Sequence, residues 1–385
     1  MDRANQIPDP AQDKAAARAA LAVRPGLRLV STGLRLAAPV AASDPQWDGP
    51  FMDLLDWLEI PLEPVAAARA PGLRKMADWA RPAPTPATAP RFAPWQAISP
   101  VAWQHGGAPE LPRADWAASY LYDSGIGSAA RGGVIDVKLM SPHPAACAAP
   151  EPGLPPLPRP AVTRAMIRAA RAEGRKRLAI IVAAGQRNAL ARQLLLAERE
   201  LTREGLELDI LAVEQAIVGL LAARPRWDGL IVMPDLRSIA FTLLAEASRI
   251  RGPWPMLWHD AQGPVLVASE ALVEAGARLP LDAVVLGQAL ALSLRHAGKL
   301  AAAHRLHEAA ARLRESGVVT AARGSPAPYV TTLDDAAFVK MLCAGPGAAT
   351  RAVPSWRALG DTPASGTGGD PVRLSLVASL PQTPR

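Results

Sequence analysis

Residues 226–248 read RWDGLIVMPDLRSIAFTLLAEAS, and this stretch decides which fold the sequence predicts. It begins as an apolar run of strand length, turns at Met-Pro-Asp and continues with helical composition. A strand, a short loop and a helix place the loop at the carboxyl end of the strand, where α/β enzymes bind their ligands. The first helical turns carry Ile239, Phe241, Leu243 and Leu244, without a carboxylate, histidine or cysteine. This segment therefore lies where a ligand site is expected, but its first helical turns lack the side chains that usually bind metals or transfer protons.

Similar units surround this stretch. Apolar runs of strand length occur at 177–184 (RLAIIVAA) and 206–213 (LELDILAV), and amphipathic helical segments separate them. Further on, two helical segments meet at Gly298, and 331–342 (TTLDDAAFVKML) predicts a last helix. Strands that alternate with helices of this size predict βαβ units and an α/β fold with a mostly parallel sheet.

The chain from residue 70 to about 160 is interrupted by prolines, and its Pro-rich parts predict loops rather than helices or central strands. Between these parts, SYLYDSGIGSAARGGVIDVKLM predicts two strands joined by a Gly-rich turn. The region also contains Trp79, Trp95 and Trp103. Exposed aromatic side chains in a Pro-rich loop suit partner binding, but these three residues could equally cap the core.

Composition excludes several classes of protein. The net charge is +7 over 385 residues, but the arginines are scattered, so we expect no nucleic-acid partner. The two cysteines, Cys147 and Cys343, are too few for a disulfide framework. The polar start predicts no signal peptide, and the longest apolar runs are shorter than a membrane span. We therefore expect a cytoplasmic protein without membrane association.

Two weak candidates for metal ligands are visible from spacing alone. His304 and His307 lie at i and i+3 of a predicted helix, but no third ligand is near, and a solvated helix face explains them better. Glu214 follows a predicted strand and opens a helix. It could be a ligand, or an acidic residue that the helix dipole favours; the sequence leaves both interpretations open.

Several segments between Val162 and Leu342 resemble the isocitrate/isopropylmalate dehydrogenase family. VTRAMIRAARAEGRKRLAIIV is similar to the family's helix before the strand that delivers its catalytic lysine. The stretch 226–248 is similar to FDVIVTxNLFGDILSDxAS, and LPLDAVVLGQALALSLRHAG resembles ANPxAxxLSxAxxLxxxxG. RLHEAAARLRESGVVTA, followed by TTLDDAAFVKML, resembles the closing helices. Upstream, GLRKMADWARP (72–82) resembles a shortened LRKxLxLxANLRP segment.

The resemblance implies a two-domain fold with a mixed, mostly parallel sheet. Members of the family are metal- and NAD(P)-dependent enzymes that oxidise and decarboxylate a malate-type substrate in the cleft between the domains. The boundaries that it implies, together with composition at the two ends, are an N-terminal tail over 1–25, a discontinuous large domain of 26–95 plus 255–345, a second domain over 96–254 with a dimer arm within 120–160, and a disordered C-terminal tail over 346–385.

The resemblance also implies where a site should lie, and there the sequence departs from the family. The family places two metal-binding aspartates at i and i+4, which puts both carboxylates on one helix face. These positions match Ile239 and Leu243, and a third metal aspartate matches Glu214. The family's lysine and a nearby asparagine match Ala183 and Gly185. In the cofactor loop, its histidine and aspartate become leucine and alanine, at positions 266 and 271.

The remaining matches are substrate and proton-transfer positions. Arg74 and Arg81 match two arginines that bind the substrate carboxylate, although their spacing is three residues shorter than in the family. Tyr120 or Tyr122 lies near the family's catalytic tyrosine, and a core or hairpin role is an equal alternative.

From these departures we predict a catalytically degenerate protein, without a cofactor, that forms a homodimer or a heteromer with a related subunit. We also predict that Ile239 and Leu243 fill the vacated metal site as core. One alternative is an active oxidoreductase that uses NAD(P) and magnesium or manganese at a displaced site, with ligands such as Asp115, Asp123 or Asp136. The other alternative is a protein-binding module that uses the Trp-rich segment.

Overall fold

The structure is a computed structural model that describes residues 28–30, 35–37, 45–60, 63–65, 90–103, 114–125, 134–149, 155–195, 205–222, 225–250, 252–274, 277–322, 330–345, 353–360 and 374–375. Arg74, Trp79 and Arg81 lie outside these ranges.

The strands of the described part are β1 (Arg28–Val30), β2 (Arg35–Ala37), β3 (Glu63–Val65), β4 (Arg91–Ile98), β5 (Trp116–Asp123), β6 (Ile135–Pro142), β7 (Cys147–Ala148), β8 (Leu157–Pro158), β9 (Arg177–Val182), β10 (Glu207–Ala212), β11 (Gly229–Val232), β12 (Trp254–His259), β13 (Pro264–Glu270), β14 (Val318–Thr320), β15 (Thr331–Leu333) and β16 (Leu374–Ser375).

The α-helices of the same ranges are α1 (Pro45–Trp57), α2 (Pro100–Trp103), α3 (Pro160–Arg171), α4 (Arg187–Leu195), α5 (Val213–Leu220), α6 (Arg237–Ser248), α7 (Ala283–His296), α8 (Leu300–Glu315) and α9 (Asp335–Ala344). As the sequence predicts, α7 and α8 form a hairpin that turns at Gly298, whose φ of 75° suits glycine.

Within the described ranges, twelve strands form one sheet in the order β16-β10-β9-β11-β6-β5-β12-β13-β4-β2-β1-β3. Six neighbouring pairs are parallel and five are antiparallel. This arrangement confirms the predicted α/β class with a mixed sheet. The sheet continues from β5 to β12 without a break, across the predicted domain boundary. The division into two domains stays a prediction.

Helices cover both faces of the sheet, so its central strands are buried on both sides. Ile180, Ile181, Leu230 and Ile231 are fully buried, which explains why β9 and β11 are continuous apolar runs rather than alternating ones. α6 packs against β6, and α7 packs against β12 and β13. No helix of the described segments is long and apolar enough to cross a membrane.

Two edges of this sheet are used below. The carboxyl edge is where β6, β9, β10 and β11 end, and the amino edge is where these four parallel strands begin. β5 runs antiparallel to β6, so its last residue, Asp123, pairs with Ile135 at the amino edge.

The prediction that the Pro-rich segments contain no central strand is wrong for β4, which includes Pro94. β4 pairs with β13 across a register shift between Val267 and Ser269. The Ser269 hydroxyl donates to the Pro94 carbonyl at 2.6 Å. The hydrogen-bond ladder between the two strands is interrupted at this shift. The proline, which has no N–H to donate, is tolerated there because no regular ladder hydrogen bond is lost.

The proposed partner surface of tryptophans is also corrected by the structure. Trp95 and Trp103 are both buried. The Trp103 indole donates to the Pro142 carbonyl at 3.2 Å, and its ring meets that of Trp258 edge to face at 4.9 Å. These two residues therefore belong to the core and present no surface to a partner.

Two further segments differ from their predictions. Within the predicted dimer arm, 120–123 and 135–142 form the buried centre of the sheet, and of the described residues the short β7–β8 pair lies outside that sheet. Within the predicted disordered tail, residues 353–360 pack on the sheet and on α7 and α8, and we name this segment the C-terminal strap. Trp356 anchors it, because a fully buried indole offsets the entropy of ordering a short segment.

Candidate functional site

The carboxyl edge is where the fold would place a ligand, and after two of its strands, β9 and β10, a glutamine side chain closes the turn. The Gln186 side-chain oxygen accepts from the Ala183 amide at 2.9 Å. Gln215 accepts from the Ala212 amide in the same way, at 3.2 Å. Because these amides already have partners, neither is available to an anionic ligand. The same closure occurs after both β9 and β10.

The three positions matched to metal ligands lie on α5 and α6 at this edge. Ile239 is 44% exposed, Leu243 is half-buried, and Glu214 is exposed. The prediction that Ile239 fills a vacated site as core is therefore wrong. The buried face of α6 carries Phe241 and Leu244, and Ile239 lies on the other side of the helix. The described residues contain no group of three or more His, Cys, Asp or Glu that could hold a metal ion.

A buried ion pair joins the start of α6 to the sheet. The Arg237 guanidinium donates to both Glu270 carboxylate oxygens, at 2.6 and 2.7 Å, and to the Ser119 hydroxyl at 2.9 Å. It also lies over the Trp103 ring, 5.4 Å from the centroid. Arg237 and Glu270 are fully buried. The arginine therefore positions α6 on the sheet, and within the described residues its buried Nη1 atom has no hydrogen-bond partner.

A larger network of charge lies at the amino edge, around the carboxylate of Glu173. One Glu173 oxygen accepts from Lys138 Nζ at 2.6 Å, from the Tyr120 hydroxyl at 3.0 Å and from Arg295 at 3.2 Å. The other oxygen accepts from Arg175 at 2.9 Å. We name these five residues the Glu173 cluster.

Burial and charge together set the protonation of this cluster. Burial raises the pKa of Glu173, but the surrounding cations, with Lys138 foremost, outweigh burial and lower that pKa to about 2. Burial lowers the pKa of Lys138 to about 8, against the attraction of Glu173. Burial, reinforced by Glu173, holds the pKa of Tyr120 well above 10. Tyr120 is therefore a neutral hydrogen-bond donor in the core and is not placed as an exposed catalytic acid.

Tyr122 lies on the same strand and also faces the amino edge. Its hydroxyl donates to the Pro354 carbonyl of the C-terminal strap at 3.1 Å. His307 Nε2 lies 2.9 Å from the same carbonyl oxygen, and the rings of Tyr122 and Trp356 are 5.1 Å apart. Tyr122 therefore holds the strap, and His307 is part of that contact rather than of a solvated helix face.

The three aspartates proposed for a displaced site do not converge. Asp115 precedes β5 at the carboxyl edge, whereas Asp123 and Asp136 lie at the amino edge. Each accepts a hydrogen bond from an arginine, at 2.8, 3.0 and 3.0 Å. A β-strand advances about 3.3 Å per residue, so the length of β5 separates Asp115 from the other two. The described structure does not bring them together as one metal site.

Comparison with known proteins adds a relationship in fold. No protein-family model and no curated protein sequence matches the chain. Among solved structures, isocitrate dehydrogenase from Methylococcus capsulatus matches with a TM-score of 0.53 and 14% identity, over 78% of this chain and 95% of that one. The TT0538 protein from Thermus thermophilus matches with a TM-score of 0.50 and 15% identity, over 93% of this chain and 77% of that one.

The chain has the isocitrate dehydrogenase fold. The resemblance seen in the sequence motifs is therefore confirmed at the level of structure. At this identity the likeness concerns the fold alone, so the side chains of this chain must carry any statement about chemistry.

Within this isocitrate dehydrogenase fold, the sequence candidates are scattered. Glu214 stands exposed at the carboxyl edge, Tyr120 and Tyr122 belong to the amino edge, and Arg74 and Arg81 lie outside the described residues. Sequence reasoning missed the Glu173 cluster. The signal available for it was a lysine inside the apolar strand β6, since a buried lysine needs a partner.

Proposed function

We propose that this protein is a divergent, catalytically degenerate relative of the isocitrate/isopropylmalate dehydrogenases that acts through a protein partner. The observation that carries the proposal is the aliphatic pair Ile239 and Leu243 at the positions matched to two metal-binding aspartates. Aliphatic side chains cannot ligate magnesium or manganese, which prefer carboxylate oxygens. Glu214 alone keeps a carboxylate, and one exposed monodentate ligand holds such ions weakly.

The closure of the strand ends supports the same proposal. Gln186 and Gln215 occupy amides at the edge where a ligand would lie. Ala183 stands at the position that the resemblance matches to the family's catalytic lysine, so that proton-transfer group is absent there. Together with Ile239 and Leu243, it leaves the matched positions without the metal ligands and the lysine that the family uses.

Exposed aliphatic residues on and next to α5 and α6 support the proposal of a protein partner. Val218 on α5 is 80% exposed, Leu221 directly after α5 is 49% exposed and Ile239 on α6 is 44% exposed, and the two helices pack against each other. Apolar side chains grouped on one surface favour association. We propose that a second copy of the chain covers this surface, with a related subunit as the alternative, and that the protein acts in the cytoplasm, where its two unpaired cysteines stay reduced.

The first test is turnover. Purified protein is incubated with manganese, NAD or NADP, and isocitrate, 3-isopropylmalate, tartrate or malate, and reduced cofactor is followed. We expect no reduction above a no-enzyme control. Reduction that a chelator abolishes would contradict the proposal and support the active alternative. The search for ligands would then turn to segments outside the described residues.

The second test is the oligomeric state by light scattering after size exclusion. We expect a dimer for the wild type and a monomer for Val218→Arg, because a buried unpaired guanidinium opposes association. Leu195→Arg is the matched control: Leu195 on α4 is 50% exposed, and this variant should remain a dimer. A wild-type monomer, or a Val218→Arg variant that remains a dimer, would exclude this surface as a dimer interface.

A further inference from the structure

A second candidate site lies at the amino edge, between α7, α8 and α9 and away from Glu214 and Ile239. It is a pocket of about 50 Å³ beside the end of β5 and the C-terminal strap. Small residues on two of the helices create the space, and larger apolar side chains close it. Six of the residues that line it are Ala283, Gly287, Ala291, Ala310, Phe338 and Leu342.

Two polar groups that line this pocket are buried without a partner. Ser124 is 5% exposed and Trp356 is 1% exposed. Within the part of the chain that the structure describes, neither the Ser124 Oγ atom nor the Trp356 Nε1 atom has a hydrogen-bond partner. Buried polar groups are almost always paired, because an unpaired one loses its hydration without compensation. Both residues line the same pocket, so a molecule bound there is a candidate partner for the two groups.

The remaining polar groups of the pocket define the charge of that molecule. Arg314 lines the pocket, and its guanidinium donates to the Asp123 carboxylate at 3.0 Å. Gln288 is also engaged, since its side chain donates to the Tyr122 carbonyl at 3.3 Å. The arginine charge is therefore compensated. Tyr122 and His307 also line the pocket, and both are engaged by the Pro354 carbonyl of the strap, at 3.1 and 2.9 Å. Among the described residues, no arginine or lysine without a carboxylate partner lines the pocket, so its lining favours an uncharged molecule.

We propose that this pocket binds a small uncharged molecule that carries one carbonyl or hydroxyl oxygen on an apolar body. The Trp356 indole can only donate a hydrogen bond, and the Ser124 hydroxyl can donate or accept, so one ligand oxygen can pair with either. A volume of about 50 Å³ holds a body of roughly three to five heavy atoms, if a single water needs about 10–15 Å³. Short-chain ketones and alcohols have this size and chemistry.

Gly287 provides a variant that should block the pocket, and its circular dichroism spectrum and thermal unfolding are compared with those of the wild type to check the fold. A Cβ atom at this position meets no other atom within 4 Å, and the residue lies inside α7. Gly287→Leu would fill the space and would also favour the helix. Gly49→Leu is the matched control, because Gly49 lies in α1, its Cβ also meets open space, and it is exposed and outside the pocket.

The test uses 2-butanone and 2-butanol as probes, with butyrate and n-pentane as comparison compounds. Saturation-transfer NMR detects weak binding, and the indole N–H resonance of Trp356, assigned with Trp356→Phe, reports the hydrogen bond. We expect saturable binding of 2-butanone or 2-butanol to the wild type and to Gly49→Leu, with a downfield shift of that indole resonance. Gly287→Leu should abolish both signals.

Three results would overturn the inference. The first is no saturable binding of 2-butanone or 2-butanol to the folded wild-type protein. The second is binding that Gly287→Leu leaves unchanged, which would place the probe elsewhere. The third is binding of a comparison compound that is as tight as that of 2-butanone or tighter. Such binding of butyrate would show that the pocket does not prefer an uncharged ligand. Such binding of n-pentane would show that the ligand oxygen contributes no hydrogen bond. None of these results depends on whether the carboxyl edge is catalytic, so this test is independent of the proposed function.

Discussion

At the carboxyl edge of the sheet, the positions matched to metal ligands are aliphatic or exposed, whereas at the amino edge a carboxylate and three cations are buried together. The two edges belong to the same strands, so neither topology nor burial of the sheet explains the difference. Charge is retained where it has partners within the protein, as around Glu173. The positions that the resemblance matches to metal ligands keep one carboxylate, the exposed Glu214. The buried charges around Glu173 are therefore explained by their partners within the protein.

The substitution with the largest expected effect is Glu173→Gln. It removes the one carboxylate that Lys138, Arg175 and Arg295 share, and leaves buried positive charge uncompensated. We expect the free energy of unfolding to fall by about 3–5 kcal/mol, measured by chemical denaturation. Glu207→Gln is the control, because Glu207 pairs with Arg226 at an exposed site, and it should cost less than about 1 kcal/mol. Equal effects of the two variants would contradict the contrast between buried and exposed charge.

Acid should lower the free energy of unfolding in a defined pH range, because it protonates Glu173 at the amino edge. The folded-state pKa of Glu173 is lowered to about 2 from 4.5, so its contribution to stability is complete above pH 4.5 and is lost as the pH falls from 4.5 through 2. A shift of this size corresponds to about 3 kcal/mol. Denaturation at a series of pH values should give this loss as the difference between wild type and Glu173→Gln. Parallel pH profiles for the two proteins would refute the assignment.

Truncation of the strap anchor should have a smaller effect, because it can detach a segment without opening the sheet. For Trp356→Ala we expect a loss of about 2–3 kcal/mol and faster proteolysis at residues 353–360. Arg357→Ala should cost less than about 1 kcal/mol, since its ion pair with Asp228 is nearly half exposed at the arginine. Protease resistance in Trp356→Ala equal to that of wild type would show that the indole does not anchor the strap.

The smallest effect is expected at the carboxyl edge. Glu214→Gln should change the free energy of unfolding by less than about 0.5 kcal/mol, with and without added manganese. An exposed first-turn carboxylate contributes little beyond its interaction with the helix dipole. Manganese that stabilises the wild type but not Glu214→Gln, measured by thermal unfolding, would instead assign a metal to this edge and weaken the contrast.

Regular parts of the fold could be predicted from the sequence because their signals are local. The apolar runs of β9, β10 and β11 and the Gly298 turn each lie within a few residues. β4 was missed because its signal is not local: Pro94 is tolerated only through the register shift of the neighbouring strand β13. The strap was missed because its composition predicts disorder, and a single tryptophan reverses that outcome.

For the candidate site, too, some features could be predicted from the sequence and others could not. The positions of Ile239 and Leu243 follow from a motif within one strand and helix, so the sequence could place them. Their exposure could not be predicted, because it depends on which face of α6 meets the sheet. The Glu173 cluster joins residues between 120 and 295 that come together only when the strands are assembled, and no spacing in the sequence indicates it.

The C-terminal strap has a consequence for motion. It bonds to β5 and β6 through Tyr122 and Asp136, and it reaches α8 through His307. β5 and β6 lie in one predicted domain and α8 in the other. Any hinge rotation that separates these two parts must first release Trp356 from between them. The strap therefore ties β5 and β6 to α8, and these elements can move apart only if the strap is released.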